Sequence, residues 1–392
     1  MGKIPVAVVR CPSYQPKIVR QALVELLEKL GGIKQLIGSR KKIFLKPNLF
    51  SPYPPERALT THPVIIQETA KIFLQAGAEV SVGDSPAGGL GEIEKLWEIT
   101  GLKEIARQIP VKLVNLEKSG AEKIPVPQGR IYQELYISKA VRDSDCLVNI
   151  PKLKTHGLTT LTGAVKNMLG VVPGLGKVDF HRQAPLPEDF AKGIADLHQV
   201  IQPQLTIVDA VEVTEGEGPG PQGKKRQMGL LVAGVNPLAV DLVLAELAGL
   251  PEGWLLTTKE LQKRAVPYGK INLSDIEILG ERLEALKIND FLLPGGQFKV
   301  KLARFLPKWI LQLLVSQINI RIGIDSLDCK RCLLCQKSCP VGAIKFVEGL
   351  PGQVDRKKCI ECLSCYEVCS DQAIRVRRSF FARNWIGEIG KK

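Results

Sequence analysis

Cys329-Lys330-Arg331-Cys332-Leu333-Leu334-Cys335-Gln336-Lys337-Ser338-Cys339-Pro340 is a C-x2-C-x2-C-x3-C-P run, and the spacing recurs at Cys359, Cys362, Cys365 and Cys369, with Ser370 in place of the proline. Eight of the ten cysteines therefore lie in two short segments. Thiolates separated by two residues in a tight loop reach different irons of one cubane, and in paired runs of this spacing the fourth cysteine turns toward the other cluster. This assigns Cys329, Cys332, Cys335 and Cys369 to one 4Fe-4S cluster, and Cys359, Cys362, Cys365 and Cys339 to a second. Structural zinc takes four ligands as two pairs and has no use for the third cysteine or the x3-C-P end. Disulfides need an oxidising compartment, and residues 1–10 show no signal-peptide pattern, so the expected location is cytoplasmic.

The segment 325–378 resembles the bacterial two-cluster ferredoxins, which implies a small α+β domain. Its two fourth-cysteine contexts, Pro340-Val341-Gly342-Ala343-Ile344 and Ser370-Asp371-Gln372-Ala373-Ile374, read as a duplicated half-domain. Asp371 interrupts the usual proline-containing pattern; it is expected to alter backbone hydrogen bonding near Cys369 without removing a ligand.

At 392 residues the chain is too long for such a module alone and has room for two or three domains. A hydrophobic fraction of 45% with 36 Gly and 26 Pro fits an α/β protein with many turns and a sizeable core. The longest charge-free apolar stretch, 309–320, has twelve residues, too few to span a bilayer. The net charge of +14 invites a nucleic-acid reading, but aromatics make up 5% and no basic run is interleaved with stacking residues, so nucleic acid is not expected as a partner. Part of the excess has a nearer cause. Each cluster with its four thiolates is a net anion, for which Lys330, Arg331, Lys337, Arg356, Lys357 and Lys358 are counter-charge. The remainder points to an acidic partner or an anionic ligand.

Residues 1–290 alternate short β-branched runs with amphipathic helical patterns. Segment 6–9 reads as a strand, followed by Ile18, Val19, Ala22, Leu23, Leu26, Leu27 and Leu30 at helical spacing, stopping at Gly31-Gly32. Further strands are expected at 43–45, 80–82, 146–150, 205–208 and 230–233. Helices are expected after Thr61-His62-Pro63 and near 158–169, 189–200 and 237–247. Such alternation predicts a doubly wound, largely parallel sheet. Residues 291–324 read as an amphipathic linker carrying Phe305, Trp309, Ile310, Leu313 and Leu314, and 379–392 as a basic tail. Packing between domains is the expected role of the linker, with peripheral membrane contact as the alternative.

Polar residues follow the strands. Lys46 and Asn48 come after 43–45, Asp84 and Ser85 after 80–82, Lys152, Lys154 and His156 after 146–150, and Asp209 and Glu212 after 205–208. In an open parallel sheet the ligand crevice lies beyond the carboxyl ends of the strands, so one shared, lysine-rich cleft is expected. Lys46, Lys152, Lys154 and Lys166 supply positive charge there, and Thr159 to Ala164 offers hydroxyls and a small-residue helix start that suits an anion. Asp84, Asp209, Glu217 and Asp241 are read as orienting the lysines, binding a hydroxyl-bearing ligand or holding a divalent cation. His156 is a candidate proton donor, or simply hydrogen-bonds a loop carbonyl. Gly218-Pro219-Gly220-Pro221-Gln222-Gly223-Lys224 fits G-x4-G-K, but Lys225 replaces the required Ser or Thr and two prolines remove N–H donors, so it is not a phosphate loop. Cys11 and Cys146 read as packed thiols.

Lys46-Pro47-Asn48, Thr61-His62-Pro63, Gly83-Asp84-Ser85-Pro86, Asn149-Ile150-Pro151-Lys152-Leu153-Lys154-Thr155-His156, Val165-Lys166-Asn167-Met168-Leu169-Gly170, Glu217-Gly218-Pro219 and Asn236-Pro237-Leu238-Ala239-Val240-Asp241 together resemble the family known as domain of unknown function 362, over residues 6–249. Members are often fused to a ferredoxin module, and the resemblance implies that these residues, Asn167 among them, form one site. The expectation is an iron-sulfur oxidoreductase. Electrons from a low-potential partner protein would pass through two 4Fe-4S clusters to an anionic small molecule or cofactor in the cleft, with His156 or Lys166 delivering a proton. The alternatives are an electron-transfer adaptor whose α/β domain docks a partner without chemistry of its own, and a protein whose clusters are structural.

Overall fold

The computed structural model describes residues 2–86, 93–184, 186–264, 267–294, 320–339, 341–348, 352–359, 364–369, 371 and 373–378. Among the described residues, twelve strands lie between Ile4 and Gly280: β1 Ile4–Arg10, β2 Lys42–Pro47, β3 Glu79–Val82, β4 Val111–Leu113, β5 Ala121–Pro125, β6 Glu134–Ser138, β7 Cys146–Ile150, β8 Lys152–His156, β9 Thr160–Thr162, β10 Leu205–Glu215, β11 Lys224–Gly234 and β12 Ile276–Gly280. The main sheet runs β12-β1-β11-β10-β7-β2-β3-β4, with β8 and β9 attached through β10. Within that order only β11 is antiparallel to its neighbours.

Strand periodicity explains why both faces are covered. Val6, Val8, Phe44, Leu147, Val208, Leu230 and Val232 enter one buried cluster, while Ala7, Val9, Ile43, Leu45, Cys146, Val148, Ile207, Leu231 and Ala233 enter the other. Successive side chains of a strand point to opposite faces, so a strand apolar at every position needs a layer on each side. The helices Pro16–Lys29 and Pro63–Gln75 cover one face with Val19, Leu23, Leu26, Ile66 and Phe73. Pro187–Val200 and Pro237–Leu247 cover the other with Phe190, Ile194, Leu238, Val243 and Leu244. Each such buried aliphatic or aromatic side chain contributes about 1.5–3 kcal/mol. The expected doubly wound sheet is present.

One helix is not. In place of a helix over 158–169, the chain forms β8 and β9, paired antiparallel from Lys154↔Thr162 to His156↔Thr160, then the short turn of helix Ala164–Asn167. Leucines at helical spacing suggest the helix, but Thr155, Thr159, Thr160 and Thr162 are stiff at χ1 and fit a pleated surface better. Strands β4, β5, β6 and β12 are three to five residues long and are not among the strands expected from sequence.

The C-terminal module is built from β13 Ile320–Ile324, β14 Ile344–Lys345, β15 Gln353–Val354 and β16 Ile374–Arg378, with short helices Leu334–Lys337 and Ser364–Val368. β13 pairs antiparallel with β16, and β14 with β15. Its first strand thus falls within the stretch expected to be linker. The core joins Ile322, Ile344, Val368 and Ile374 to Cys335 and Cys365, one cysteine from each run. The amphipathic stretch around Trp309, the tail 379–392 and Cys362 lie outside the described residues. Among the described residues no helix is long and apolar enough to cross a membrane.

Candidate functional site

The carboxyl ends of β1, β2, β3, β7 and β10 lie on one rim, and two ion pairs form there because of the strand order. β2 neighbours β3, so Lys46 near the end of β2 meets Asp84 just beyond β3: Nζ lies 2.7 Å from Asp84 Oδ1 and also donates to the Pro47 carbonyl at 3.0 Å. Asp84 Oδ2 accepts from Leu49 N at 2.7 Å. Gly170 closes over the pair. A Cβ on it would sit 2.0 Å from Asp84 Oδ1 and 2.6 Å from Lys46 Nζ.

The second pair follows from β8 running beside β10, which sets Lys152 opposite Asp209. Lys152 Nζ donates to Asp209 Oδ2 at 2.9 Å and to the Tyr14 hydroxyl at 2.6 Å, and the Tyr14 hydroxyl donates to Asp209 Oδ1 at 2.9 Å. The amide of His62 donates to Asp209 Oδ2 at 2.9 Å, and its ring lies on that of Tyr14 with centroids 3.6 Å apart at 6°. Burial pushes both lysines below the usual ammonium range, against the pull of their carboxylates. It likewise lowers the His62 imidazole to about 4, so the ring is neutral near pH 7.

The expected lysines lie packed inside the rim. Lys46 is 0% exposed, and Lys152 and Lys154 are 1% exposed. Unpaired ammonium groups are too costly to bury, so these lysines are engaged. Lys154 donates to the Leu59 carbonyl at 2.7 Å, with Nζ 4.1 Å from the Phe50 ring centroid. Lys166 is half-buried, its Nζ 5.9 Å from the Phe190 ring.

Three asparagines form a hydrogen-bonded chain of their own. Asn48 Nδ2 donates to Asn167 Oδ1 at 2.9 Å, Asn167 Nδ2 to Asn149 Oδ1 at 2.8 Å, and Asn149 Nδ2 to the Ala164 carbonyl at 2.8 Å. Among the described residues Asn48 Oδ1 is a buried acceptor without a hydrogen-bond partner. Ser85 binds Glu117 through its hydroxyl, and Lys177 donates to the carbonyls of Ser85 and Pro86. Burial lowers Lys177 to about 8, opposed by Glu117 and Asp84 and reinforced by Lys46 and Lys166. Tyr14, Glu117 and Lys177 are not among the residues expected from sequence, although Tyr14 follows β1 as Asp84 follows β3.

Other expected residues serve locally. Asp241 caps the helix start, accepting from Ala164 N at 2.6 Å and Val165 N at 3.0 Å, so the N–H groups read as an anion site are occupied by the protein's own carboxylate. Burial raises that carboxyl to about 7. His156 Nδ1 accepts from the loop amides Leu158 N at 3.1 Å and Thr159 N at 3.4 Å, where a bond to a loop carbonyl is the expected alternative, and this leaves Nε2 as the ring's N–H donor. Glu217 is half-buried in the loop after β10, beside Gly218, whose amide donates to Thr155 Oγ1 at 3.2 Å.

In the C-terminal module, Cys329, Cys332, Cys335 and Cys369 line one cavity with Phe346 and Ile374. This is the set the spacing assigns to one cluster. Burial, with Cys369, Cys332 and Cys329 nearby, pushes the Cys335 thiol up to about 12, a cost that a bound metal cation offsets by favouring the thiolate. The left-handed residues Arg331 (φ 54°) and Leu333 (φ 61°) coil the ligand loop. The duplication is visible in the sulfurs: Cys339 Sγ accepts from Ala343 N and Cys369 Sγ from Ala373 N, each at 3.2 Å. In the second set Cys365 is buried, and Cys339 and Cys359 are half-buried. Asp371 pairs with Lys330 at 2.7 Å, tying the second run to the first. Among the described residues no three His, Cys, Asp or Glu side chains converge on a single-ion position, at the rim or elsewhere. The modules touch where the Tyr53 hydroxyl donates to the Cys369 carbonyl at 3.1 Å.

Comparison with known proteins agrees with both halves. Residues 43–246 match the family model described as Domain of unknown function (DUF362), and residues 321–370 the model described as 4Fe-4S dicluster domain. A thylakoid-associated protein of Synechocystis sp. is 31% identical over 246 residues, covering 62% of this chain and 74% of its own. A component of an ion-translocating oxidoreductase complex of Methanosarcina acetivorans is 41% identical over 55 residues, 14% of this chain and 20% of that one. An uncharacterized protein of Methanocaldococcus jannaschii is 30% identical over 114 residues, 29% of this chain and 44% of its own. The eight C-terminal cysteines are thus the ligands of two 4Fe-4S clusters, a pairing suited to electron transfer, and the chain belongs to the DUF362 family.

Proposed function

We propose that the chain is an iron-sulfur oxidoreductase in which electrons from a low-potential partner protein meet an anionic small molecule or cofactor at the strand-end rim. The observation that supports this reading is the Lys152, Tyr14 and Asp209 triangle: a lysine disfavoured as an ammonium by burial, bonded to a phenol and a carboxylate, is a proton store sealed from water. The bound clusters supply one-electron transfer at low potential. The protein's own residues do the rest. Lys152 and Tyr14 hold the proton that balances charge on a reduced ligand, and Asp84 and Asp209 keep Lys46 and Lys152 in place. Asn48 Oδ1 accepts from a hydroxyl, and Lys166 draws the anionic group.

The sealing of Lys46, Lys152 and Lys154 favours a second reading, an adaptor whose α/β domain docks a protein without chemistry. One experiment separates them: anaerobic purification of the native chain and of a Lys152→Ala, Lys154→Ala chain, followed by mass spectrometry of any retained small molecule. Loss of a carboxylate- or phosphate-bearing ligand with iron content unchanged supports the enzyme. A neutral hydrophobic ligand, or variants defective only in binding a protein, counts against it. We place the protein in the cytoplasm, where thiolates stay reduced, with peripheral membrane contact in keeping with the thylakoid association of the Synechocystis relative.

A further inference from the structure

The loop between β2 and the helix Pro63–Gln75 carries a small apolar cluster of its own. Phe50, Tyr53 and Leu59 are 7%, 5% and 2% exposed and pack apart from the two cores of the α/β domain. The rings of Phe50 and Tyr53 stack with centroids 6.5 Å apart at 13°. At one end of this cluster Lys154 lies over Phe50 and bonds the Leu59 carbonyl; at the other Tyr53 bonds the Cys369 carbonyl. The loop is itself pinned to the sheet by Thr214 Oγ1, which donates to the Ala58 carbonyl at 2.9 Å. A loop tip made of aromatic residues, buried and held at both ends, is an interface element.

We propose that this loop orders the two clusters: the one held by Cys329, Cys332, Cys335 and Cys369 is the inner cluster, seated against the α/β domain by Tyr53, and the one held by Cys339, Cys359 and Cys365 is the outer cluster that faces the redox partner. The inference rests on the electron-transfer reading of the module but needs no substrate. Tyr53 is a positioning residue: its hydroxyl donates to the peptide carbonyl of a cluster ligand, and a donor so placed favours the reduced, more negative cluster. Phe50 and Tyr53 also exclude water between that cluster and Lys154.

The test is redox titration of the anaerobic full chain followed by electron paramagnetic resonance, with the inner cluster's signal identified as the one lost in Cys335→Ser. Tyr53→Phe, which keeps the ring and removes the donor, is expected to move that signal's midpoint to more negative potential and leave the other in place. Hydrogen exchange of residues 48–60 in the same material is expected to quicken. A midpoint shift confined to the other cluster, equal shifts in both, or no shift overturns the ordering. Because neither readout depends on turnover, a failed search for a ligand would refute the enzyme reading alone.

Discussion

Removing the Asp209 carboxylate should be among the most damaging single changes in the α/β domain. Asp209→Ala leaves Lys152, 1% exposed, without its counter-charge and strips acceptors from the Tyr14 hydroxyl and the His62 amide. Breaking a buried pair by deleting one partner costs about 3–5 kcal/mol, because the surviving charge is stranded. An α/β domain of roughly 290 residues unfolds with an entropy near 0.6 kcal/mol per kelvin, so that loss lowers its melting temperature by about 5–8 °C. The double variant Lys152→Met, Asp209→Leu removes both charges and keeps the volume, so it should recover most of the loss; a double-mutant cycle then isolates the coupling. The assay is thermal unfolding of the anaerobic protein followed by far-UV circular dichroism. If Lys152→Met or Asp209→Leu alone melts within about 2 °C of the parent, a shift well below that range, or the double variant loses as much as those two singles summed, the pair is not the buried, coupled unit described above.

Gly170→Ala should destabilise by about 1–3 kcal/mol in the same assay, since its methyl group would enter the Lys46 and Asp84 pair at 2.0 Å from Oδ1. Acid should weaken the fold through His198, which is fully buried and held down to about 4 from 6.5 by burial, with Nε2 2.9 Å from the Val165 carbonyl. The unfolded chain takes up that proton below pH 6.5 and the native chain does not. Its contribution is therefore complete above 6.5 and falls by about 2 kcal/mol between pH 7 and 5; because His62 loses stability and Asp241 gains it over the same window, the His198 share is read as the difference in urea-midpoint slope between the parent and His198→Gln. Cys369→Ser and Cys335→Ser should deplete the same cluster, each removing up to about half the iron while leaving one identical set of paramagnetic signals, because the two sulfurs share one cavity despite lying in different runs.

The positions of Lys46, Asp84, Lys152 and Asp209 were legible in the sequence because each follows an apolar run; the structure joins them as two ion pairs. Their pairing was not legible. It depends on β2 lying beside β3 and β8 beside β10, which is decided by tertiary packing. Lys177 and Glu117 were hidden for the same reason, lying far apart in sequence with nothing local to mark them. Tyr14 obeyed the strand-end rule but looked like an ordinary loop residue between Ser13 and Gln15. Asp241 read as a ligand acid because the carboxylate's nearest partners, Ala164 N and Val165 N, lie on another segment. The cysteine runs were read most fully, since cluster ligation is written in spacing alone.

The central claim is that two redox-active clusters sit on one chain with the rim. The most direct measurement is iron, zinc and acid-labile sulfide analysis of anaerobically purified protein, with dithionite reduction and reoxidation followed by absorbance. Two cubanes predict about eight iron and eight sulfide per chain that bleach and recover reversibly. Colourless protein containing zinc, or iron that does not cycle, would contradict the claim.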